Sequence, residues 1–326
     1  MDIRSLPKID LHCHLDGSIS PDIVRLWLLD KGEETELSEI RSKMTGPQVC
    51  HAVEEYLSCF DLPKRCVQDG RLLKRAAYQL ALEAAREGVV YMEVRFSPGA
   101  SLKDGLTFSQ AIENVEAGLA VVRAEKGIST GIICCGMKDV PEEENLEMLR
   151  AAAEHMGRGV VGCDMTGDGG RGLENLPEAF FLLARQLGIP AVAHISRRGS
   201  AEGIRKALSL GCVRIGHGLA MQGDPDLQKE CAQAGAGVEL CPSSNLQTGA
   251  VEEIEEIPLR EFQNAGLKVA VCTGHRTVAH TDSTNELEKL QEAFTLSEDE
   301  LHRIYTDSVE MSFASPAEKE HLLDLW

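Results

Sequence analysis

The chain lacks the features that would place it in a membrane, outside the cell or on nucleic acid. Its 326 residues contain no uninterrupted apolar run approaching ~18 residues, so no membrane span is expected. The opening residues, MDIRSLPKID, carry no signal-peptide pattern. No C-x-x-C pair occurs, which argues against a cysteine-based structural zinc site. The eleven cysteines are an odd number, and most sit inside apolar runs such as Ile132-Ile133-Cys134-Cys135. That usage fits reduced, packed thiols, and a cytoplasmic setting is expected. Cys134 and Cys135 are read in the same way, as buried strand thiols and not as a vicinal disulfide. Basic residues are in deficit, 33 against 52 acidic ones, and the net charge of −19 argues against a nucleic-acid partner. No repeat, low-complexity tract or linker divides the chain, so residues 1–326 are read as one domain.

What is present is an ordinary apolar content of 43%, distributed in a regular rhythm. Short β-rich runs fall at roughly 8–13, 89–96, 131–135, 159–165, 190–195, 212–217, 237–241 and 267–273. Several are almost wholly apolar, as strands buried on both faces should be. Between most of them lie segments rich in Ala, Leu, Glu and Arg with helical patterning, such as 141–156, 200–210 and 224–234. Strand and helix alternating eight times predict an α/β fold, a parallel sheet closed as a (β/α)₈ TIM barrel. The first connection, 18–85, is unusually long. Its helical patterning at 23–30, 49–60 and 71–87 predicts a helical insertion near the barrel mouth.

Polar residues gather where the strands end. His12 and His14 close the first strand and, spaced i, i+2, point to the same face. Gly167 and Asp168 follow the fourth strand, His194 closes the fifth and His217 the sixth. Cys241-Pro242-Ser243-Ser244-Asn245 closes the seventh and Thr273-Gly274-His275 the eighth. Each histidine alone would fit a satisfied core imidazole. Four at four strand ends, on the face where barrels build active sites, are better explained as a site. Neutral imidazoles in this number suit zinc or a neighbouring transition metal.

These motifs resemble the adenosine deaminase family of metal-dependent hydrolases, nearly end to end. The carrying residues are 7–18 (PKIDLHCHLDGS), 91–96 (YMEVRF), 164–168 (DMTGD), 215–218 (IGHG), 241–249 (CPSSNLQTG) and 276–278 (RTV). The resemblance implies that His12, His14 and His194 bind zinc. It implies that His217 orients the attacking water and helps to deprotonate it. It places Asp16 and Gly167, with Asp168 beside them, on the substrate, a purine nucleoside or a related small molecule. Two motifs depart from the family. After the strand-five histidine the family has His-Ala-Gly-Glu, whose glutamate protonates the purine ring, where this chain has His194-Ile195-Ser196-Arg197. At strand eight the family has Thr-Asp-Asp or Thr-Asp-Asn, whose first aspartate is a metal ligand, where this chain has Thr273-Gly274-His275.

A guanidinium stays charged at working pH and cannot deliver the ring proton. Losing the aspartate removes the anionic metal ligand, so metal affinity and the acidification of water should both fall. His275 is a candidate replacement ligand, because catalytic zinc tolerates three nitrogens plus water. Asp282 is another, some distance past the strand end. Arg197, His217 and His275 are therefore the residues expected to decide the chemistry. Three readings stay open: an aminohydrolase with weak or absent turnover of ordinary adenosine, a nucleoside-binding protein without turnover, and a metal-independent enzyme in which Arg197 clamps an anionic group. The run Gly167 to Gly172 satisfies G-x-G-x-x-G, but it lacks the long helix and the acidic partner of a dinucleotide site and is read as a loop. Ser200 is expected to cap the helix that follows it.

Overall fold

The computed structural model describes residues 2–167, 176–195 and 200–326. Eight parallel strands form one sheet in sequence order: β1 (Lys8–His14), β2 (Val89–Phe96), β3 (Ser129–Met137), β4 (Val160–Thr166), β5 (Ala191–Ile195), β6 (Arg214–His217), β7 (Gly237–Leu240) and β8 (Lys268–Val271). Every boundary lies within two residues of its expected run. Strands β1, β6 and β7 are buried along their whole length, and the charged residues they carry, Lys8, Asp10, Arg214 and Glu239, are buried with them. The (β/α)₈ expectation holds.

The ring closes on a narrow joint. His14 N–H donates to Gly274 O at 2.8 Å, and Gly274 N–H donates to His12 O at 2.7 Å. Beside this joint the Asp10 carboxylate accepts the Thr273 hydroxyl at 2.6 Å. Gly274 stands at φ 66°, a left-handed conformation that costs glycine little, and this turn ends β8 sooner than the sequence suggests. The pairing of β1 with β2 also slips between Asp10 and Cys13. An irregularity of that kind re-aims the side chains beside it, here His12.

The long first connection is helical, as expected, but holds five helices: α1 (Pro21–Asp30), α2 (Leu37–Met44), α3 (Val53–Ser58), α4 (Asp61–Cys66) and α5 (Gly70–Arg86). Helix α2 buries only Ile40 and Met44, too thin an apolar stripe to stand out in a polar segment. The run expected as one helix over 49–60 starts only at Val53 and ends at Ser58, just before Phe60, whose ring packs on Tyr56 and His275. Helices α6 (Phe108–Lys126), α7 (Glu142–Glu154), α8 (Glu178–Gln186), α9 (Ala201–Ser209), α10 (Pro225–Gln233), α11 (Pro242–Gln247), α12 (Leu259–Asn264) and α13 (Ser283–Phe294) follow the later strands. Ser200 caps α9 through Gly203 N–H at 3.0 Å, as the sequence predicts. Two last helices, α14 (Glu298–Met311) and α15 (Pro316–Leu323), pack against the ends of β1 and β8 and the foot of the barrel. Cys134 and Cys135 are buried free thiols. Among the described residues no helix is long and apolar enough to cross a membrane.

Candidate active site

Four histidines meet at the C-terminal mouth. His12 and His14 come from β1, His194 from β5 and His217 from the end of β6. His12 Nε2 lies 3.0 Å from His14 Nε2, and His217 Nε2 lies 3.1 Å from His194 Nε2. Ring centroids stand 4.8 Å apart for His194 and His217 and 4.9 Å apart for His12 and His194. Gly216 makes the crossing possible, since a Cβ there would lie 3.1 Å from His12 Cε1. His217 sits at φ 61°, a strained conformation for a residue of its size that turns the ring into the mouth.

The outer nitrogens fix the tautomers. His12 Nδ1 donates to Glu239 Oε2 at 2.8 Å, and His217 Nδ1 donates to Asn245 Oδ1 at 2.8 Å. Both Nε2 atoms therefore carry lone pairs into the mouth. Burial drives the basicity of His12, His14 and His217 well below the ordinary 6.5, with nearby Arg95 or neighbouring imidazoles adding to it. They are neutral donors near neutral pH.

A buried charge column runs beneath them along the barrel axis. At its foot, Glu93 accepts Phe313 N–H at 2.6 Å and pairs with Arg214 at 2.5 Å, while the Arg214 guanidinium lies 3.9 Å above the Phe313 ring. Arg214 also pairs with Glu239 at 2.8 Å. Arg95 bridges Glu239 and Asp164, the latter at 2.6 Å, and donates to Leu11 O at 3.1 Å. Asp164 stands 3.6 Å from His194 Nδ1. Burial alone would raise Asp164, but Arg95 and His194 outweigh it and hold the carboxyl at about 2. Sequence reading did not single out these five charges, although Glu, Arg and Asp inside apolar strands were a visible signal. Asn245 and Tyr56 were also missed as functional partners, and nothing in the sequence marks Tyr56.

The donor set fits a divalent transition metal. Two nitrogens bound at about 2.1 Å in a tetrahedral site stand about 3.4 Å apart, close to the spacings found here. The carboxylate behind His12 is the usual outer partner of a metal-binding histidine. The ligand atoms of His12, His14 and His194 all lie within 4.8 Å of one another.

The remaining expected residues divide. His275 stacks on His14 with centroids 4.4 Å apart and planes 12° apart, and its Nδ1 is bonded to the Tyr56 hydroxyl at 2.8 Å. Its ligand atom groups with those of His14 and Asp16, not with those of His12 and His194. Asp16 follows β1 directly, and burial raises its carboxyl. Gly167 lies just past β4 at φ 105°, against the Lys138 amide. Asp282 is the N-cap of α13, bonded to Asn285 N–H at 2.7 Å, and is not part of the cluster. Asp168 and Arg197 lie outside the described residues.

Comparison with known proteins adds relatives to this geometry. A sequence model described as "Adenosine deaminase" matches residues 7–325. The chain is 36% identical over 330 residues to an adenosine deaminase of Vibrio vulnificus, with 99% of each chain covered. It is 34% identical over 325 residues to an adenosine deaminase of Enterococcus faecalis, covering 98% of this chain and 96% of that one. Among solved structures it resembles an adenine deaminase from Arthrobacter aurescens, with a TM-score of 0.88 at 24% identity over 98% of both chains. It also resembles a zinc-bound amidohydrolase from Burkholderia ambifaria, with a TM-score of 0.86 at 19% identity over 98% of this chain and 89% of that one. At those identities the structural likenesses speak to the fold.

Proposed function

The chain belongs to the adenosine deaminase family, and from its site we propose that it is a metal-dependent aminohydrolase for purine nucleosides or related amines, with weak or absent turnover of adenosine itself. The observation that carries this reading is an asymmetry at the mouth. The ligand nitrogens of His12, His14 and His194 converge, with Glu239 bonded behind His12 and Asp164 3.6 Å from His194 Nδ1, whereas β8 contributes only the backbone of Gly274. His12, His14 and His194 would hold the metal, zinc being the ion that suits imidazole donors. When bound, that ion supplies Lewis acidity that makes water nucleophilic near neutral pH.

The protein's own groups then divide the work. His217, neutral and with Nδ1–H tied to Asn245, presents a lone pair at Nε2 that can take a proton from water. Asp16 is assigned to a substrate hydroxyl, and Gly167 with Asp168 to the purine edge. Attack on the ring is only half of deamination, because the amine leaves poorly until a ring nitrogen is protonated. The position three residues after His194 is Arg197, which cannot give up that proton. His275 is a poor substitute acid. Burial, then the neighbouring His194, lowers it to about 3, so it carries no extra proton near neutrality.

The test is metal content after dialysis together with inosine formation from adenosine. About one metal per chain and slow inosine formation are expected. The double variant Arg197→Glu, Gly274→Asp should raise deamination at least ~100-fold, the low end of what a placed proton donor contributes. A Cβ at 274 would meet Cys241 and Ser244 at 3.5 Å, ordinary contact, but at φ 66° the aspartate also strains the backbone, so the variant's folding is checked alongside its activity. Rapid deamination by the unaltered protein would overturn the claim of weak turnover. A folded, metal-loaded but inert double variant would overturn the assigned roles of positions 197 and 274. Absence of metal would move the reading to the Arg197 anion clamp.

A further inference from the structure

We propose that Glu286, on α13 and outside the mouth, is a positioning residue: its carboxylate holds the first turn of α11, and that turn holds His217 in the tautomer its chemistry needs. The inference rests on the role given to His217 above and deepens it.

Helix α11 does not hold itself. It has six residues, and its N-cap, Cys241, makes no side-chain hydrogen bond to the first turn. So short a helix is unstable alone and takes its place from its contacts. Pro242 has no N–H, so Ser243 carries the first free donor of the turn. That N–H donates to Glu286 Oε2 at 2.9 Å, across 43 residues of chain. Glu286 is 0% exposed, and its other oxygen accepts the Thr281 hydroxyl, so both oxygens are committed. Lys289, three residues further along α13, donates to the Ser243 hydroxyl. Both polar groups of Ser243 are therefore gripped from α13. At the far end of α11, Gln247 donates to Pro47 O and Val278 O, each at 3.0 Å. Loss of Glu286 would thus free the first turn while the helix stays docked.

Asn245 stands two residues beyond Ser243 in that turn and is 2% exposed. Its N–H closes the first bond of the helix, to Cys241 O at 2.9 Å, and its Oδ1 accepts His217 Nδ1–H at 2.8 Å. The amide moves only if the turn moves, and the turn is where Glu286 grips. His217 needs such a hold from outside, because its own backbone is strained at φ 61°. The bond made by one ring nitrogen sets the state of the other. Asn245 thereby keeps Nε2 bare, facing His194 Nε2 at 3.1 Å. Glu286 acts on the reaction only through this relay.

The experiment reads the His217 ring nitrogens by NMR in the full-length protein, with isotope-labelled histidine, near neutral pH and without substrate. The unaltered protein should show one His217 species, protonated at Nδ1 and bare at Nε2. Glu286→Leu should move His217 toward the Nε2–H form and speed solvent exchange of the Nδ1 proton at least about fivefold, the worth of one ordinary hydrogen bond. Glu286→Gln keeps an oxygen for Ser243 N–H and should restore the unaltered pattern. Gly118→Ala, which destabilises the α5–α6 contact, should leave His217 unchanged, so lowered stability alone cannot mimic the effect. Unchanged His217 signals in folded Glu286→Leu overturn the proposal. If that variant fails to fold, Glu286→Asp, one methylene too short to keep both bonds, is read in its place, and unchanged signals there overturn it equally. So do signals that shift in Gly118→Ala, or that Glu286→Gln fails to restore. A His217 protonated at Nε2 in the unaltered protein overturns both the proposal and the role given to His217. No turnover enters the readout, so an inactive protein with the expected signals would sink the proposed function and leave the positioning role standing.

Discussion

Replacing Arg95 with methionine separates what the buried column does for stability from what it does for the metal. Arg95 is 0% exposed and donates to Asp164 at 2.6 Å, to Leu11 O at 3.1 Å and to Glu239. Methionine keeps much of the stem and removes the charge and every donor. Removing one partner of a buried pair costs about 3–5 kcal/mol, because the other charge is left uncompensated. Glu239 keeps Arg214 at 2.8 Å, whereas Asp164 keeps only His194 at 3.6 Å. The loss thus falls on Asp164, and the low end, about 3 kcal/mol, is expected for the metal-free protein in urea unfolding. The second effect is on orientation. Arg95 anchors the carboxylates behind both His12 and His194, and loss of such outer partners weakens metal binding by about 10–100-fold. Competition against a chromophoric chelator measures this. Arg95→Lys restores a charge but cannot span two carboxylates, so it should recover part of the stability and little of the affinity. If Arg95→Met costs under about 1 kcal/mol and leaves metal affinity unchanged, the column is packing and the reasoning is refuted.

Three further outcomes are expected. Gly118→Ala should lower the melting temperature through a loss of roughly 1–3 kcal/mol, since its Cβ would lie 2.2 Å from Lys74 O and force α5 and α6 apart; an unchanged melting temperature would contradict that packing. Tyr56→Phe removes the hydrogen bond to His275 Nδ1 and should cost about 1–2 kcal/mol, with faster amide exchange in α3 and α4. Exchange equal to that of the unaltered protein would show that the bond does not anchor the insertion. Metal-free protein should lose stability as pH falls below about 6.5. The sign follows from His12, His14, His217 and His275, whose folded basicities are depressed by burial, so the unfolded chain takes up protons first. Each contributes at most about 1.4 kcal/mol per pH unit, and urea midpoints that stay flat from about pH 7.5 to about pH 5.5 would refute it.

The barrel was legible because its strands are apolar on both faces and end in polar residues, two signals that agree along the chain. His12, His14, His194 and His217 were legible for the same reason: a histidine closing a buried strand is conspicuous. The insertion was legible as helical but not in its breaks, since α2 buries two residues and the break after Ser58 falls where the Phe60 ring packs on His275. His275 shows the limit most clearly. Its position at the end of β8 suggests a ligand, yet a stack on His14 and a hydroxyl from α3 decide its orientation, and neither contact leaves a trace in sequence spacing.

The charge column is hidden for a different reason. Arg95 meets Asp164 across 69 residues and Glu239 across 144, so its sense emerges only when the strands are set side by side. Its arithmetic bears on the chemistry. Glu93, Asp164 and Glu239 against Arg95 and Arg214 leave one negative charge beneath the imidazoles. That charge is shielded from water and acts on a cation at the mouth through a medium of low dielectric. On the proposed reading, a strand β8 that supplies no carboxylate therefore does not strip the site of negative potential, and metal binding should survive better than proton delivery does. Protonating a purine ring needs a donor at one point, and no field from below can replace it.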